Sequence, residues 1–192
     1  MLRTALALTA LLACATPTLA QTTPVSSVAA EADVLAFGIS GYSGIVSATF
    51  PNRLQVAFGV GRYDAPSFLV SGDANYDQAQ WEASVTSLQV ARATYRFRGA
   101  MKSGPALGVV LLNQNWQLQS APLGGETRFR TLSVGVTGGY YIHVGRHFYL
   151  YPTAAFTHNT VSGTTSVNGV GYEVERWSPN ASLHAGWEWG RR

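Results

Sequence analysis

Cysteine is almost absent. The 192 residues contain a single one, Cys14, and it lies in the opening apolar segment. With that segment removed on export, the remainder is no disulfide scaffold, thiolate metal site or cysteine enzyme. Charge is scarce as well. Asp, Glu, Lys and Arg make up 12% of the residues, about half the usual share. The net charge is only +3, too little to argue for nucleic acid as a partner. No apolar run reaches the roughly 18 residues that argue for a helix across a bilayer. What is plentiful is glycine, with 20 residues, and aromatics at 11%. Low charge, many aromatics and no spanning helix are the composition of a membrane β-barrel, whose apolar residues are diluted by a polar partner at every second position.

The N-terminus reads as a signal peptide over residues 1–20. Arg3 supplies its positive start, residues 5–15 its short apolar run, and Thr18, Leu19 and Ala20 the small-residue site before the cut. Cleavage after Ala20 leaves Gln21 as the mature N-terminus. A second reading stays open: Leu11, Leu12, Ala13 and Cys14 resemble a lipoprotein box, in which Cys14 becomes the lipidated first residue. Residues 21–31 read as a flexible periplasmic leader and residues 32–192 as one barrel domain.

From residue 33 the chain alternates between strand-like runs and turn signals. Eight strands are expected, over residues 33–40, 45–50, 53–63, 83–98, 105–118, 127–144, 147–158 and 178–189. Residues 29–37 are ambiguous and also fit a short amphipathic helix. In the third strand Leu54, Val56, Phe58 and Val60 share one face, and in the sixth Leu132, Val134, Val136, Tyr140 and Ile142 do. Leu88 and Val90 break the alternation of the fourth, which points to a bulge or a phase error. The connections alternate between short turns, at Pro51-Asn52, residues 99–104 and Gly145-Arg146, and long loops at residues 64–82 and 159–177. Arg53, Arg98, Lys102, Arg146, Arg191 and Arg192 map to the short-turn end. Asp64, Asp73, Asp77, Glu82, Glu126, Glu173 and Glu175 map to the loop end. The expected fold is thus an all-β, antiparallel, up-and-down transmembrane barrel with its short turns in the periplasm.

Leu183, Ala185, Trp187 and Trp189 form one alternating face that finishes on an aromatic. Together with the strand and turn plan, this face resembles the small eight-stranded outer-membrane barrels of the OmpA and OmpX type. The resemblance covers nearly all of residues 33–192. It implies location in the outer membrane of a Gram-negative cell envelope, contact with membrane lipid and lipopolysaccharide, and handling by the barrel-assembly machinery, which recognises such a C-terminal signal. One departure is that Gly190, Arg191 and Arg192 follow the last aromatic. Trp81, Trp116, Tyr140, Phe148, Tyr149, Trp177, Trp187 and Trp189 lie near strand ends, where interfacial girdles form.

The same phase turns His184 and Glu188 into the lumen, with Arg92, Thr94 and Arg96 from the fourth strand. An eight-stranded lumen is just wide enough to be filled by side chains. Unpaired charges there are costly, so Arg92 or Arg96 should pair with Glu188. Arg92, Arg96, His184 and Glu188 are accordingly the candidate network, read as a structural plug rather than a catalytic site. The enzymatic signals are weak. His158 with Asn159 and Ser162 sits at the outer rim, where a lipid A-modifying barrel would keep its residues. Gly41-Tyr42-Ser43-Gly44 just misses a nucleophile elbow. His143 and His147 flank a turn but lack a third metal ligand. Asn180-Ala181-Ser182 is a glycosylation sequon by pattern only. No cofactor, metal or enzymatic activity is expected. The expected role is structural or adhesive, as a monomer with a closed lumen. A soluble lipocalin-like carrier of an apolar ligand and a lipid A-modifying enzyme remain as alternatives. N-terminal sequencing of the exported protein should begin at Gln21; a lipidated Cys14 at the start would overturn that expectation.

Overall fold

The computed structural model describes residues 25–190. The signal segment, its cleavage site, Cys14, Arg191 and Arg192 lie outside the described residues. Eight strands close into one antiparallel barrel. They are β1 (Ser27–Asp33), β2 (Tyr42–Thr49), β3 (Leu54–Asp64), β4 (Trp81–Arg96), β5 (Gly104–Ser120), β6 (Gly125–Val144), β7 (Phe148–Gly163) and β10 (Trp177–Gly190). Each pairs with its neighbour in sequence, and β10 returns to β1 to close the ring. A two-residue hairpin, β8 (Ser166–Val167) with β9 (Val170–Gly171), decorates the last loop. Three short helices occupy the other loops: α1 (Val34–Gly38), α2 (Ser67–Val70) and α3 (Tyr76–Ala79).

Alternation is the reason these segments are strands. On β6, Leu132, Val134 and Val136 are exposed outside while Thr131, Ser133 and Thr137 are buried inside. The rule holds around the ring, and it inverts the usual order of a soluble barrel. The exterior carries Val46 and Phe58, 64% and 63% exposed, and the interior carries Gln55, Thr94, Arg96 and Glu188, at 1% or less. The tight turns sit at one end. Gly145 and Gly99 have φ of +78° and +80°, a conformation in which a side chain would be strained.

The start of the barrel differs from the sequence expectation. The first strand is Ser27–Asp33 and not residues 33–40, so the last five residues of the expected leader belong to the wall. Its outward positions are Val28, Ala30 and Ala32. Two of these are alanine, which blurs the period-2 signal. What makes the segment a strand is pairing on both sides, Val28 with Trp189 of β10 and with Ala48 of β2. At Asp33 the chain turns helical, because the Asp33 carboxylate accepts the Leu35 N–H at 3.0 Å and caps α1. The ambiguous stretch 29–37 is therefore part strand, part helix. The second strand is also longer than expected, starting at Tyr42.

Because β1 is short, it pairs only with residues 184–190 of β10. The outer half of β10 has β7 on one side, and α1 stands in the wall on the other. Val34, Leu35 and Phe37 are exposed there, and Ala36 is buried. The Glu188 N–H bonds to His147 O at 2.9 Å on the β7 side, so odd-numbered residues of β10 aim their backbone groups away from β7. Pro179 occupies one of those odd positions beyond the end of β1, where a missing N–H removes nothing from the ladder. Two register shifts complete the wall, at Gly61/Tyr63 between β3 and β4 and at Val85/Ser87 between β4 and β5. The second accounts for Leu88 and Val90. Past the bulge they pair with Gln114 and Leu112 on the lumen face, and Ala91, Ala93 and Tyr95 hold the outer one.

Single cysteines at Leu54, Val56, Phe58, Leu132, Val134 and Val136 should resist water-soluble maleimides in intact membranes, while one at the loop residue Asp77 labels quickly. Rapid labelling at all six wall positions would refute an apolar surrounding.

Candidate functional site

Two buried ion pairs fill the turn end of the lumen. In the first, the Glu188 carboxylate meets Arg96 at 2.7 and 3.2 Å. It also accepts from Ser27 Oγ at 2.5 Å and from the Met101 N–H at 3.2 Å. His143 Nε2 lies 2.9 Å from Oε2, the oxygen that the Met101 N–H also reaches. Four groups thus converge on one carboxylate that is wholly out of reach of water. In the second, Arg92 bonds both oxygens of Glu31 at 3.0 and 2.9 Å, and Ser47 Oγ donates to the same acid at 3.4 Å.

Aromatic rings join the two pairs. Tyr141 and Tyr151 stack with centroids 3.9 Å apart and planes 9° from parallel. The Arg96 guanidinium lies over Tyr141 at 4.0 Å and that of Arg92 over Tyr151 at 4.9 Å. Each ring of the pair therefore carries one cation, and each cation is held by one carboxylate. The four charges sum to zero. Gln55 ties the rings to the wall, accepting from Tyr141 Oη at 2.6 Å and Thr94 Oγ1 at 3.3 Å and donating to Ser47 and Thr49 at 3.3 Å. Glycine makes room for the rings. A Cβ at Gly186 would run into the Tyr149 ring, and one at Gly139 would lie 2.7 Å from Tyr151.

The opposite mouth is closed by different chemistry. The loops before β4 and after β7 fold over it and bury Val70, Ala79, Trp81, Ala83, Leu118, Phe129 and Val167 in one apolar cluster. Trp116 stacks on Phe129 at 6.0 Å, and Tyr172 closes edge-on against Trp81 at 6.0 Å. Burial, with Asp73 and Glu175 nearby, raises the Tyr172 phenol above its ordinary range, so it stays neutral. Asp73 fastens the two loops together. One of its oxygens accepts from Trp81 Nε1 at 3.1 Å and the Asn75 N–H at 2.8 Å, and the other accepts the Glu173 N–H at 2.8 Å. Asn75 Nδ2 then donates to Gly171 O at 2.8 Å.

The four candidate residues all point inward. Arg96 and Glu188 meet. Arg92 goes instead to Glu31, which falls in the expected leader because β1 lacks a clear alternation. His184 is buried but joins neither ion pair; its ring lies against Tyr151 at 5.9 Å. His143 and His147 turn to the same glutamate, His143 to its carboxylate and His147 Nδ1 to its backbone oxygen at 2.8 Å. His158 faces outward, edge-on to Trp177 at 4.7 Å, while Asn159 faces inward to Ser178 Oγ at 2.8 Å. The two neighbours thus act on opposite faces of β7. Ser43 Oγ accepts the Asp33 N–H at 2.7 Å, and Asn180 donates to Thr157 Oγ1 at 3.1 Å inside the barrel. Of the expected girdle, Trp81, Trp116 and Tyr149 are inside instead, because their strand positions carry the lumen phase. Tyr42, Tyr95, Phe97 and Phe156 are exposed aromatics outside. The charge sorting is also one-sided. The loop end holds Arg62, Arg128, Arg130 and Arg176 beside its acids.

No protein-family model and no curated protein matches the sequence. Among solved structures, the N-terminal β-barrel domain of Pseudomonas aeruginosa OprF aligns over 86% of this chain and 98% of its own, with a TM-score of 0.57 at 15% identity. The chain has the fold of the small outer-membrane barrels. Neisserial surface protein A aligns over 84% and 92%, at TM-score 0.46 and 21% identity. CarO of Acinetobacter baumannii aligns over 86% and 98%, at TM-score 0.46 and 12% identity. At these identities the likeness is one of fold.

Glu188→Gln leaves Arg96 buried without its counter-charge, a loss on the order of 3–5 kcal/mol. The temperature at which the folded band shifts on unheated gels should fall accordingly, and Glu188→Gln combined with Arg96→Met should recover part of it. A single variant that melts like the parent would show that the pair does not hold the plug.

Proposed function

We propose that this chain is an exported outer-membrane barrel with a closed lumen, cleaved after Ala20, whose role is structural and surface-presenting rather than conductive. The observation that carries this reading is closure at both ends: a neutral ion-pair plug at the turns and an apolar cap at the loops.

The exterior supports the location. Trp177 and Trp187 are exposed on the lipid-facing phase of β10, ten positions apart. At about 3.3 Å per residue and a tilt of about 40°, that separation spans roughly 25 Å, the height of the apolar band of such barrels. Phe156 stacks on Trp177 at 5.5 Å, and His147 on Trp187 at 5.6 Å, so each girdle residue has a partner. A lipocalin-like carrier needs the reverse arrangement, an apolar lumen within a polar coat. Here the lumen holds two arginines and two glutamates while valine and phenylalanine coat the wall. Ring closure pairs most strand edges within one chain, leaving only the outer parts of β10 and β2 beside α1 without a β1 partner, in keeping with a monomer. The cap turns loops of 16 and 13 residues, 65–80 and 164–176, into one fastened surface. Such a surface suits recognition or passive shielding better than a gate, because Asp73 ties both loops at once.

In planar bilayers the purified protein should give no steady conductance, and it should leave membranes only with detergent. Asp73→Ala should speed protease cleavage within residues 65–80 while conductance stays absent, because the plug remains. A steady open channel in the parent overturns closure, and release by salt or alkali overturns membrane residence.

A further inference from the structure

We infer that the floor of the barrel, at the turn end, docks an acidic segment of a periplasmic protein. This rests on the outer-membrane reading, which turns that floor toward the periplasm, and adds a partner to it.

The floor carries charge of one sign. Arg53 stands in the β2–β3 turn, Arg98 and Lys102 in the β4–β5 turn and Arg146 in the β6–β7 turn, and all are exposed. None of them makes an ion pair among the described residues. Of the ten acidic residues of the chain, only Glu31 and Glu188 lie toward this end. Both are fully enclosed, and Arg92 and Arg96 neutralise them. The other acids lie in the loops or at the loop-end termini of strands, from Asp33 to Glu175. The plug above the floor is neutral, so nothing on this surface offsets its cations.

Arg98 points beneath the lumen rather than into lipid. It continues the inward phase of Arg92, Thr94 and Arg96. Its stem crosses the inner side of Gly104, where a Cβ would run into it. Arg53 reaches across to the same turn. Its Nη1–H donates to Phe97 O at 3.1 Å, and its Cγ stands 3.9 Å from where a Gly99 Cβ would lie. The two guanidinium groups thus flank one turn, with Lys102 in it.

The backbone at Arg53 is strained in a way that a turn alone does not call for. The loop of residues 51–53 closes through the Arg53 N–H to Phe50 O at 2.9 Å and the Phe50 N–H to Leu54 O at 2.8 Å, and Arg53 has φ of +69°. Glycine or asparagine suits that place in such a hairpin, because a larger side chain is strained there. Strain of this kind collects at functional positions. Phe97 O takes one N–H of a guanidinium that carries several, and the rest remain for a ligand. A guanidinium forks onto a carboxylate with two parallel bonds. In an extended polypeptide alternate side chains share one face about 7 Å apart. One acidic segment can therefore present carboxylates to neighbouring turns at once.

The test is fluorescence anisotropy of labelled hexaglutamate with the full exported chain in neutral detergent. The parent should bind, and binding should weaken at least about tenfold as salt rises from about 0.05 to 0.5 M. Arg53→Gln with Arg98→Gln should lose about tenfold at low salt. Arg62→Gln with Arg176→Gln removes the same charge at the loop end and should leave binding unchanged. Arg53→Gly separates docking from stability: it relieves the turn, so the gel-shift temperature should hold or rise while peptide binding falls. No binding by the parent, or equal loss from the loop-end pair, overturns the inference. So does preferential displacement of the peptide by purified cell-wall fragments, or retention of phosphatidylglycerol in native mass spectra that falls with the Arg53 and Arg98 pair. A barrel that needs detergent for extraction but binds no peptide refutes this docking alone. A chain released without detergent refutes the membrane reading along with it.

Discussion

A carboxylate inside an eight-stranded barrel has no water to turn to, and the arrangement of the lumen follows from that. Glu188 and Glu31 are both fully enclosed. Each therefore needs a cation and further donors, since a buried charge without them is costly. Arg96 and Arg92 supply the cations, and Ser27, His143, Ser47 and the Met101 N–H supply most of the rest. The stacked tyrosines keep the two guanidinium groups apart and fill the space that charge alone would leave open. Glycines at 139 and 186 are the complement of those rings, in that a side chain at either position would occupy the same volume.

The two mouths are closed by opposite means. At the turn end side chains from β1, β4, β6 and β10 close the opening from within, and the β4–β5 turn folds in to add the Met101 N–H. At the loop end the connections are long enough to build a small apolar core of their own, with Trp81, Phe129 and Tyr172 at its centre. Polar contacts then hold the loops in register, Asp73 among them. The difference is one of chain length available at each end, and it divides the molecule into a charge-paired base and an apolar cap.

The wall is asymmetric for a related reason. On the β1, β2 and β10 side it ends near the upper girdle, at Tyr42 and Trp177, with α1 completing it. On the β4 to β6 side it continues upward as polar strand. The tall side holds one edge of the cap through Ser120, whose hydroxyl donates to Ala79 O at 2.5 Å and accepts the Leu123 N–H at 3.1 Å. The barrel thus carries a one-sided upright surface that the apolar belt does not need.

The sequence alone determined which segments are strands, which face of each is apolar, and which ends carry tight turns, because these depend on neighbours one or two residues apart. The phase of β10 followed from Leu183, Ala185, Trp187 and Trp189, and it turned Glu188 inward with no knowledge of the rest. It failed where the local signal was weak: the alanines of β1 hid a strand, and with it Glu31. Only the tertiary structure decided which arginine meets which acid. Arg92 and Glu31 are 61 residues apart and Arg96 and Glu188 are 92. Their pairing is set by the stagger accumulated around the closed ring and by two bulges, not by any local pattern. The cap was likewise out of reach, since Asp73 and Glu173 meet across 100 residues of chain. Alternation along a strand is a property of the chain, whereas height within a barrel is a property of its closure.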